Sequence, residues 1–273
     1  MQLLISVAGP ADARAALLGG ADVIDAKDPR HGALGPVPLH RLAAIRATVA
    51  GARPLSAALG DAAREDALAR AVAAAATLGV VFVKVGFAGV TSEVRARRLA
   101  VAARQRAEGE TRLVLVAYAD WRHAESLAPA RLVSIAADAG AAGVLLDTAS
   151  KSAPLFAIQP VASVAAWVAA AHAAGMFAAL AGSLSGPDLA PARALGADLV
   201  GVRGAACVGG RTGRVSRPRV AALRASAGAA PPPPPPPASR VLVGRGILPE
   251  RDVELPEIVR RYDEMLHAVR ERA

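Results

Sequence analysis

The sequence predicts an α/β protein folded as a (β/α)₈ (TIM) barrel, with a polyproline-linked helical extension at its C-terminus. Three observations carry that prediction. Apolar strand-like runs alternate with Ala-rich helical stretches, the pattern of βα units that build a parallel sheet. Eight such units fit into the 273 residues, and roughly 250 residues is typical of one closed barrel. Polar and charged residues collect just past the strands, on the rim where βα loops build sites in such barrels.

In order, the aliphatic run Leu3–Val7 is the first strand and Ala11–Leu18 the helix after it. Val23–Ala26 follows Gly20-Ala21-Asp22, and Leu39–Val49 has the spacing of a helix with one apolar face. Leu55–Leu59 and Arg64–Leu78 form the third unit, Val80–Val85 and Ser92–Glu108 the fourth, Leu113–Ala117 and Pro129–Ala139 the fifth. Gly143–Asp147 with Ala162–Ala174, Phe177–Ala181 with Pro187–Leu195, and Leu199–Val202 with Arg217–Ala225 complete the eight. Gly79, Gly140, Gly175 and Gly196 stand where helices stop, as glycine does at C′. The Gly-Ala-Asp before the second strand recurs at Gly196-Ala197-Asp198, a short echo of the repeating unit. The barrel domain is read as residues 1–227, a Pro-rich linker as 228–240 and a C-terminal extension as 241–273. Pro231–Pro237 form a stiff polyproline spacer. Beyond it, Val259, Tyr262, Leu266 and Val269 recur at helical spacing, a short amphipathic helix able to dock on the barrel or a neighbouring subunit.

Composition narrows the function. Net charge is +9, but aromatics are 3% and the arginines are interspersed with Asp and Glu, which leaves few stacking platforms for nucleic acid. Small anions such as sugar phosphates suit the same charge. The longest apolar runs, such as that from Ala71 to Val85, are broken by Gly79 and Lys84 and too short to span a bilayer. The N-terminus has no basic n-region or cleavage pattern. One cysteine, Cys207, excludes an internal disulfide, and a cytoplasmic protein is expected. The histidines do not cluster, so no metal and no cofactor are expected.

The lysines are the sharpest signal. Of 32 basic side chains only Lys27, Lys84 and Lys151 are lysine, and each lies at or just past the end of an apolar strand-like run. There an amine can be desolvated, lose its proton and attack a carbonyl, which a guanidinium cannot do. Asp25 and Lys27, two residues apart on a strand, face the same way. Lys27 beside Asp25 is therefore the candidate for covalent catalysis, Lys84 for a second amine or acid–base group, and Asp147 with Lys151 repeats the pairing. The competing explanation for each pair is an ion pair that fixes the rim. Gly182-Ser183 and Arg203-Gly204-Ala205, after the last two strands, have the composition of a phosphate cradle or of plain turns. Gly209-Gly210-Arg211-Thr212-Gly213-Arg214 can hold another phosphate or form a mobile loop. Tyr118 and Asp120 can order water or substrate hydroxyls, complete the core, or cap the next helix. Cys207 reads as a small buried residue.

Together, Asp25-Ala26-Lys27-Asp28-Pro29 with Gly32-Ala33-Leu34-Gly35, Lys84-Val85-Gly86, Tyr118-Ala119-Asp120, Leu146-Asp147-Thr148-Ala149 with Lys151, Ala179-Leu180-Ala181-Gly182-Ser183, and Val200-Gly201-Val202-Arg203-Gly204-Ala205-Ala206-Cys207 resemble the (5-formylfuran-3-yl)methyl phosphate synthases. These are also called 4-(hydroxymethyl)-2-furancarboxaldehyde-phosphate synthases. The likeness runs over about residues 2 to 225. It implies a TIM barrel, a carbon–oxygen lyase acting on phosphates, that condenses two molecules of glyceraldehyde 3-phosphate into a phosphorylated furan for methanofuran or a bacterial counterpart. It also implies that Lys27 is the Schiff-base lysine and Lys84 the proton-transfer residue, assisted by Asp25, Asp147 and Lys151. The expected partners are a phosphorylated small molecule and further copies of the chain in a homo-oligomer, without nucleic acid or membrane. This chain lacks the Asp that the family carries before the Arg near Gly209-Gly210. Two rival readings remain: a Schiff-base (class I) aldolase on another sugar phosphate, and a non-catalytic phosphate-binding barrel subunit.

Overall fold

The computed structural model describes residues 1–228. The proline spacer and the amphipathic helix read for 228–240 and 241–273 therefore lie outside the described residues, Gly228 apart.

The elements run β1 (Gln2–Val7), α1 (Pro10–Leu18), β2 (Val23–Ala26), α2 (Leu39–Val49), β3 (Leu55–Asp61), α3 (Glu65–Thr77), β4 (Phe82–Gly86), α4 (Glu93–Arg106), β5 (Arg112–Tyr118) and α5 (Pro129–Asp138). Then come β6 (Gly143–Asp147), a short α6 (Leu155–Ile158), α7 (Val161–Ala173), β7 (Phe177–Leu180), α8 (Gly186–Ala194) and β8 (Leu199–Val202). A 3₁₀ turn (Gly204–Ala206), a small hairpin of β9 (Cys207–Val208) and β10 (Arg214–Val215), and α9 (Arg217–Ser226) end the described chain. Strands β1 to β8 pair in sequence order, and β1 also pairs in parallel with β8, so the sheet closes as a TIM barrel.

Each strand and helix expected within the described residues is present, most with ends moved by one or two residues. Three differences have a physical cause. The fourth strand begins at Phe82, not Val80, because the Val80 N–H is still spent on Ala75 O at the close of α3. β3 runs on to Asp61 through a register shift between Ala58 and Asp61, where Gly60 takes φ +86°. The segment between Gly209 and Arg214 is the turn of the β9–β10 hairpin, tied to the rest of the rim by two arginines. Helices α3, α5, α7 and α8 stop on Gly79, Gly140, Gly175 and Gly196, whose φ of 65°, 67°, 71° and 83° glycine adopts without strain.

Two apolar layers result. One lies between barrel and helices, and includes Ile5, Ile24, Val83, Leu115, Leu146, Leu180 and Val200. The other fills the lower lumen with Leu4, Phe82, Val114, Leu145, Phe177 and Leu199, where the Phe82 and Phe177 rings meet edge to face at 5.4 Å. Strand alternation puts one set of residues out and the other in. Above that floor the inward residues turn polar, at Ser6, Asp25, Ser56, Lys84 and Asp147. Among the described residues no helix is long and apolar enough to cross a membrane.

Candidate active site

The strand ends surround a cavity of about 430 Å³ whose wall includes Lys27, Lys84, Lys151, Asp147, Ser6 and Ser56. Its floor is the apolar lumen at Leu4, Phe82, Val114, Leu145 and Phe177. All three lysines of the chain thus converge on one space. They come from β4 and from the loops after β2 and β6, so closure of the barrel, not sequence proximity, assembles them.

Two of the amines are paired. Lys84 Nζ lies 2.7 Å from Asp25 Oδ2, an oxygen that also accepts from Ser6 Oγ at 2.9 Å. Lys151 Nζ lies 2.6 Å from Asp147 Oδ1, which also accepts the Thr148 N–H at 2.7 Å. Burial pushes the Asp25 carboxyl up, but Lys84 and then Lys27 outweigh it, and its pKa ends below the ordinary value. Burial likewise raises Asp147, and Lys151 and Lys27 bring it below its ordinary value.

Lys27 is different. It is buried to 7% exposure, and among the described residues no carboxylate lies within ion-pair distance of its amine. The expected Asp25–Lys27 pairing is therefore not formed: Lys84, on β4, reaches past β3 to Asp25 on β2 and occupies the carboxylate. Burial lowers the Lys27 pKa from 10.5 to about 8; the charge of Asp147 opposes this and Lys84 adds to it. A buried amine of that basicity is partly unprotonated near neutral pH and can act as a nucleophile.

The expected phosphate residues Gly182, Ser183, Gly204 and Ala205 all line the same cavity. Gly182 takes φ +100° and Ser183 φ +54°, and a Cβ on Gly182 would stand 2.8 Å from Thr148 Cγ2. The chain thus turns sharply at the cavity wall, and a non-glycine residue held at positive φ is strain of the kind found at ligand sites.

Arg203 corrects an expectation. It lines the cavity, but its guanidinium is ion-paired with Asp12 at 2.8 Å and donates to the carbonyls of Ser6, Arg211 and Gly213. A buried guanidinium has to be compensated, and here the compensation is internal, so Arg203 braces the rim instead of offering charge to a phosphate. Tyr118 and Asp120 are corrected too, for neither lines the cavity. The fully buried Tyr118 donates its hydroxyl to Asp61 Oδ1 at 2.7 Å, and burial followed by the Asp61 charge raises its pKa. Asp120 accepts the N–H groups of Ala149 and Ser150 at 2.7 and 2.8 Å, which fixes the loop that carries Lys151. Cys207 is buried, and desolvation raises its thiol pKa.

Other residues of the site carried little or no sequence signal. Ser6 and Ser56 sit inside apolar strands, and only barrel closure shows that they flank Asp25 in register. Asp12 opens α1 and looks like an ordinary first-turn acid until Arg203 meets it from the far end of the chain.

A family model described as 4-HFC-P synthase matches residues 3–224. A (5-formylfuran-3-yl)methyl phosphate synthase from Methanocaldococcus jannaschii is 36% identical over 231 residues, covering 82% of this chain and 98% of that protein. One from Methanosarcina barkeri is 33% identical over 225 residues, covering 81% and 96%. Among solved structures, phosphoribosyl anthranilate isomerase from Thermus thermophilus superposes with a TM-score of 0.55 at 16% identity, covering 83% of this chain and 98% of that one, a likeness of fold alone.

Proposed function

The chain belongs to the 4-HFC-P synthase family, and on that premise we propose that it condenses two molecules of glyceraldehyde 3-phosphate into (5-formylfuran-3-yl)methyl phosphate through a Schiff base on Lys27. The observation that carries this reading is one buried amine of depressed pKa, without a carboxylate partner among the described residues, on the wall of a cavity that also holds two lysine–carboxylate pairs.

The chemistry follows from those groups. The unprotonated Lys27 amine adds to the aldehyde of one triose phosphate and expels water as the imine forms. The imine acidifies the neighbouring carbon, where the Lys84–Asp25 pair removes a proton; phosphate departs from the carbon beyond it to leave an unsaturated imine, and the enediol of the second triose phosphate adds through its C2 to that carbon to make the carbon–carbon bond. Lys151 with Asp147, on the other side of Lys27, returns protons to departing oxygens. That phosphate leaves by carbon–oxygen cleavage, the assignment to the carbon–oxygen lyases. Ring closure with loss of water and hydrolysis of the imine free the furan and restore Lys27. The turn at Gly182-Ser183 and the backbone at Gly204-Ala205 hold phosphate, and the apolar floor keeps water from the imine. The product suits a role in methanofuran or methylofuran biosynthesis. A single, buried cysteine fits a cytoplasmic enzyme.

The test is incubation with glyceraldehyde 3-phosphate, following furan-aldehyde absorbance and free phosphate, with borohydride trapping and peptide mapping alongside. The expected result is a furan, a matching amount of phosphate and an adduct on Lys27. An adduct without furan would instead indicate a Schiff-base aldolase. Neither adduct nor turnover would leave a phosphate-binding barrel.

A further inference from the structure

Five cationic side chains line the cavity: Lys27, Lys84, Lys151, Arg203 and Arg211. Lys84, Lys151 and Arg203 each have a carboxylate within 2.8 Å, and the Lys27 charge is weakened by burial. Arg211 differs from all of these. It is partly buried, its partners among the described residues are the carbonyls of Pro29 and Gly32, and no carboxylate stands within ion-pair distance. Among the described residues the cavity therefore contains one guanidinium without a carboxylate at ion-pair distance, and desolvation lowers its pKa.

Its position is informative. The Arg211 side chain starts beside Gly204, past the end of β8, and its head reaches the β2α2 loop at Pro29 and Gly32. The head thus lies on the Lys27 side of the mouth, whereas the Gly182-Ser183 turn follows β7, with β8 and β1 between. Arg203 fixes this placement from behind, since it binds the backbone carbonyls of both Arg211 and Gly213. Two carbonyl contacts also leave part of the five-donor guanidinium fork unused.

We infer that Arg211 forms a second anion subsite, on the β2 side of the cavity, that takes a phosphate monoester dianion separately from the loops after β7 and β8. Its identification with the second triose phosphate rests on the synthase reading, while the subsite itself rests on the geometry. An incoming phosphate would supply the missing counter-charge through the paired hydrogen bonds that favour arginine over lysine. A roof hung on Arg203 and latched to Pro29 and Gly32 would at the same time place that substrate next to the Lys27 amine.

The test is calorimetric titration of the full chain with inorganic phosphate, with Arg211→Gln and Arg211→Lys beside the wild type. Two phosphates per chain are expected for the wild type and one for Arg211→Gln, with the remaining affinity unchanged. Arg211→Lys should keep the second site, weakened roughly tenfold or more because the paired geometry is lost. Unfolding midpoints should show both variants folded. A single site in the wild type, two undiminished sites in Arg211→Gln, or loss of both sites together would overturn the inference. Two sites without furan formation would overturn the synthase reading and leave the subsite standing.

Discussion

The two ends of the barrel use the same residue types to opposite effect. At the lower end, Asp22 and Asp198, the acids of the repeated Gly-Ala-Asp, each stitch a neighbouring strand: Asp22 accepts the Leu3 N–H at 2.8 Å and Asp198 the Ala178 N–H at 2.9 Å. Each also meets a basic side chain, Arg224 at 3.3 Å and His172 at 2.8 Å, with the carboxylates 20% and 11% exposed. At the upper end, Asp25 and Asp147 are exposed to 0% and 2% and meet lysines inside a cavity. Below, an acid satisfies the main chain and its basic partner stays partly exposed. Above, each carboxylate holds an amine out of water, and a third amine goes without. The lower pairs tie strand to strand, and the upper pairs share their cavity with the buried Lys27 amine.

The comparison can be broken from either side. Lys27→Met should reduce furan formation by a factor on the order of 10³ or more, because the other two lysines of the cavity are held by carboxylates. Its unfolding midpoint should not fall, since the substitution removes a buried, partnerless amine; activity and thermal unfolding on one preparation decide this. Lys151→Met leaves Asp147 buried without its nearest cation, and kcat should drop roughly 10²-fold, the scale of one lost proton-transfer group. At the lower end, Asp198→Ala should cost about 1–3 kcal/mol by denaturant unfolding, for the stranded Ala178 N–H and the lost His172 contact, with kcat unchanged. Tyr118→Phe should cost about 1 kcal/mol and also leave kcat unchanged, because the lost hydrogen bond ends on Asp61 outside the cavity.

Stability against pH sharpens the same contrast. The Lys27 pKa is 10.5 without the fold and about 8 within it, so between those values the unfolded chain binds more protons. Stability should rise with pH across that window by about 3 kcal/mol from this group alone, with the full cost present below pH 8. The difference between wild type and Lys27→Met isolates it. Asp25 and Asp147 share the sign of this pH dependence but add stability where Lys27 costs it: their lowered pKa values stabilise the fold above the ordinary carboxylate value, and the contribution is lost as pH falls through the folded-state values.

The fold was legible in the sequence because the alternation of aliphatic runs and Ala-rich stretches is local, as are the glycines that end α3, α5, α7 and α8. The three lysines were legible because arginine fills nearly every other basic position. Pairing was not. Asp25 and Lys27 are two residues apart in sequence, and spacing along the chain cannot show that Lys84, 57 residues further on, reaches Asp25 and takes the carboxylate. The same limit hid the use of Arg203, whose partners Ser6 and Asp12 stand at the other end of the described chain and meet it only because β8 closes on β1. Tyr118 and Asp120 follow a strand end like the lysines do, and only the packing of Asp61 and of the loop after β6 turns them away from the cavity. Arg211 lay in a segment that composition could assign to a phosphate or to a loop, and its carbonyl contacts across the mouth show what that segment is attached to.

The central claim is that burial, with the other two lysines taken up by carboxylates, lowers the Lys27 pKa to about 8, and competitive acetylation measures it directly. Trace labelling of the native protein across pH, followed by peptide mapping, gives a titration curve for the Lys27 amine. The expected midpoint is about 8, and it should move when Asp147→Asn removes the charge that holds the amine up. A Lys27 midpoint near 10.5, indifferent to Asp147→Asn, would contradict the account.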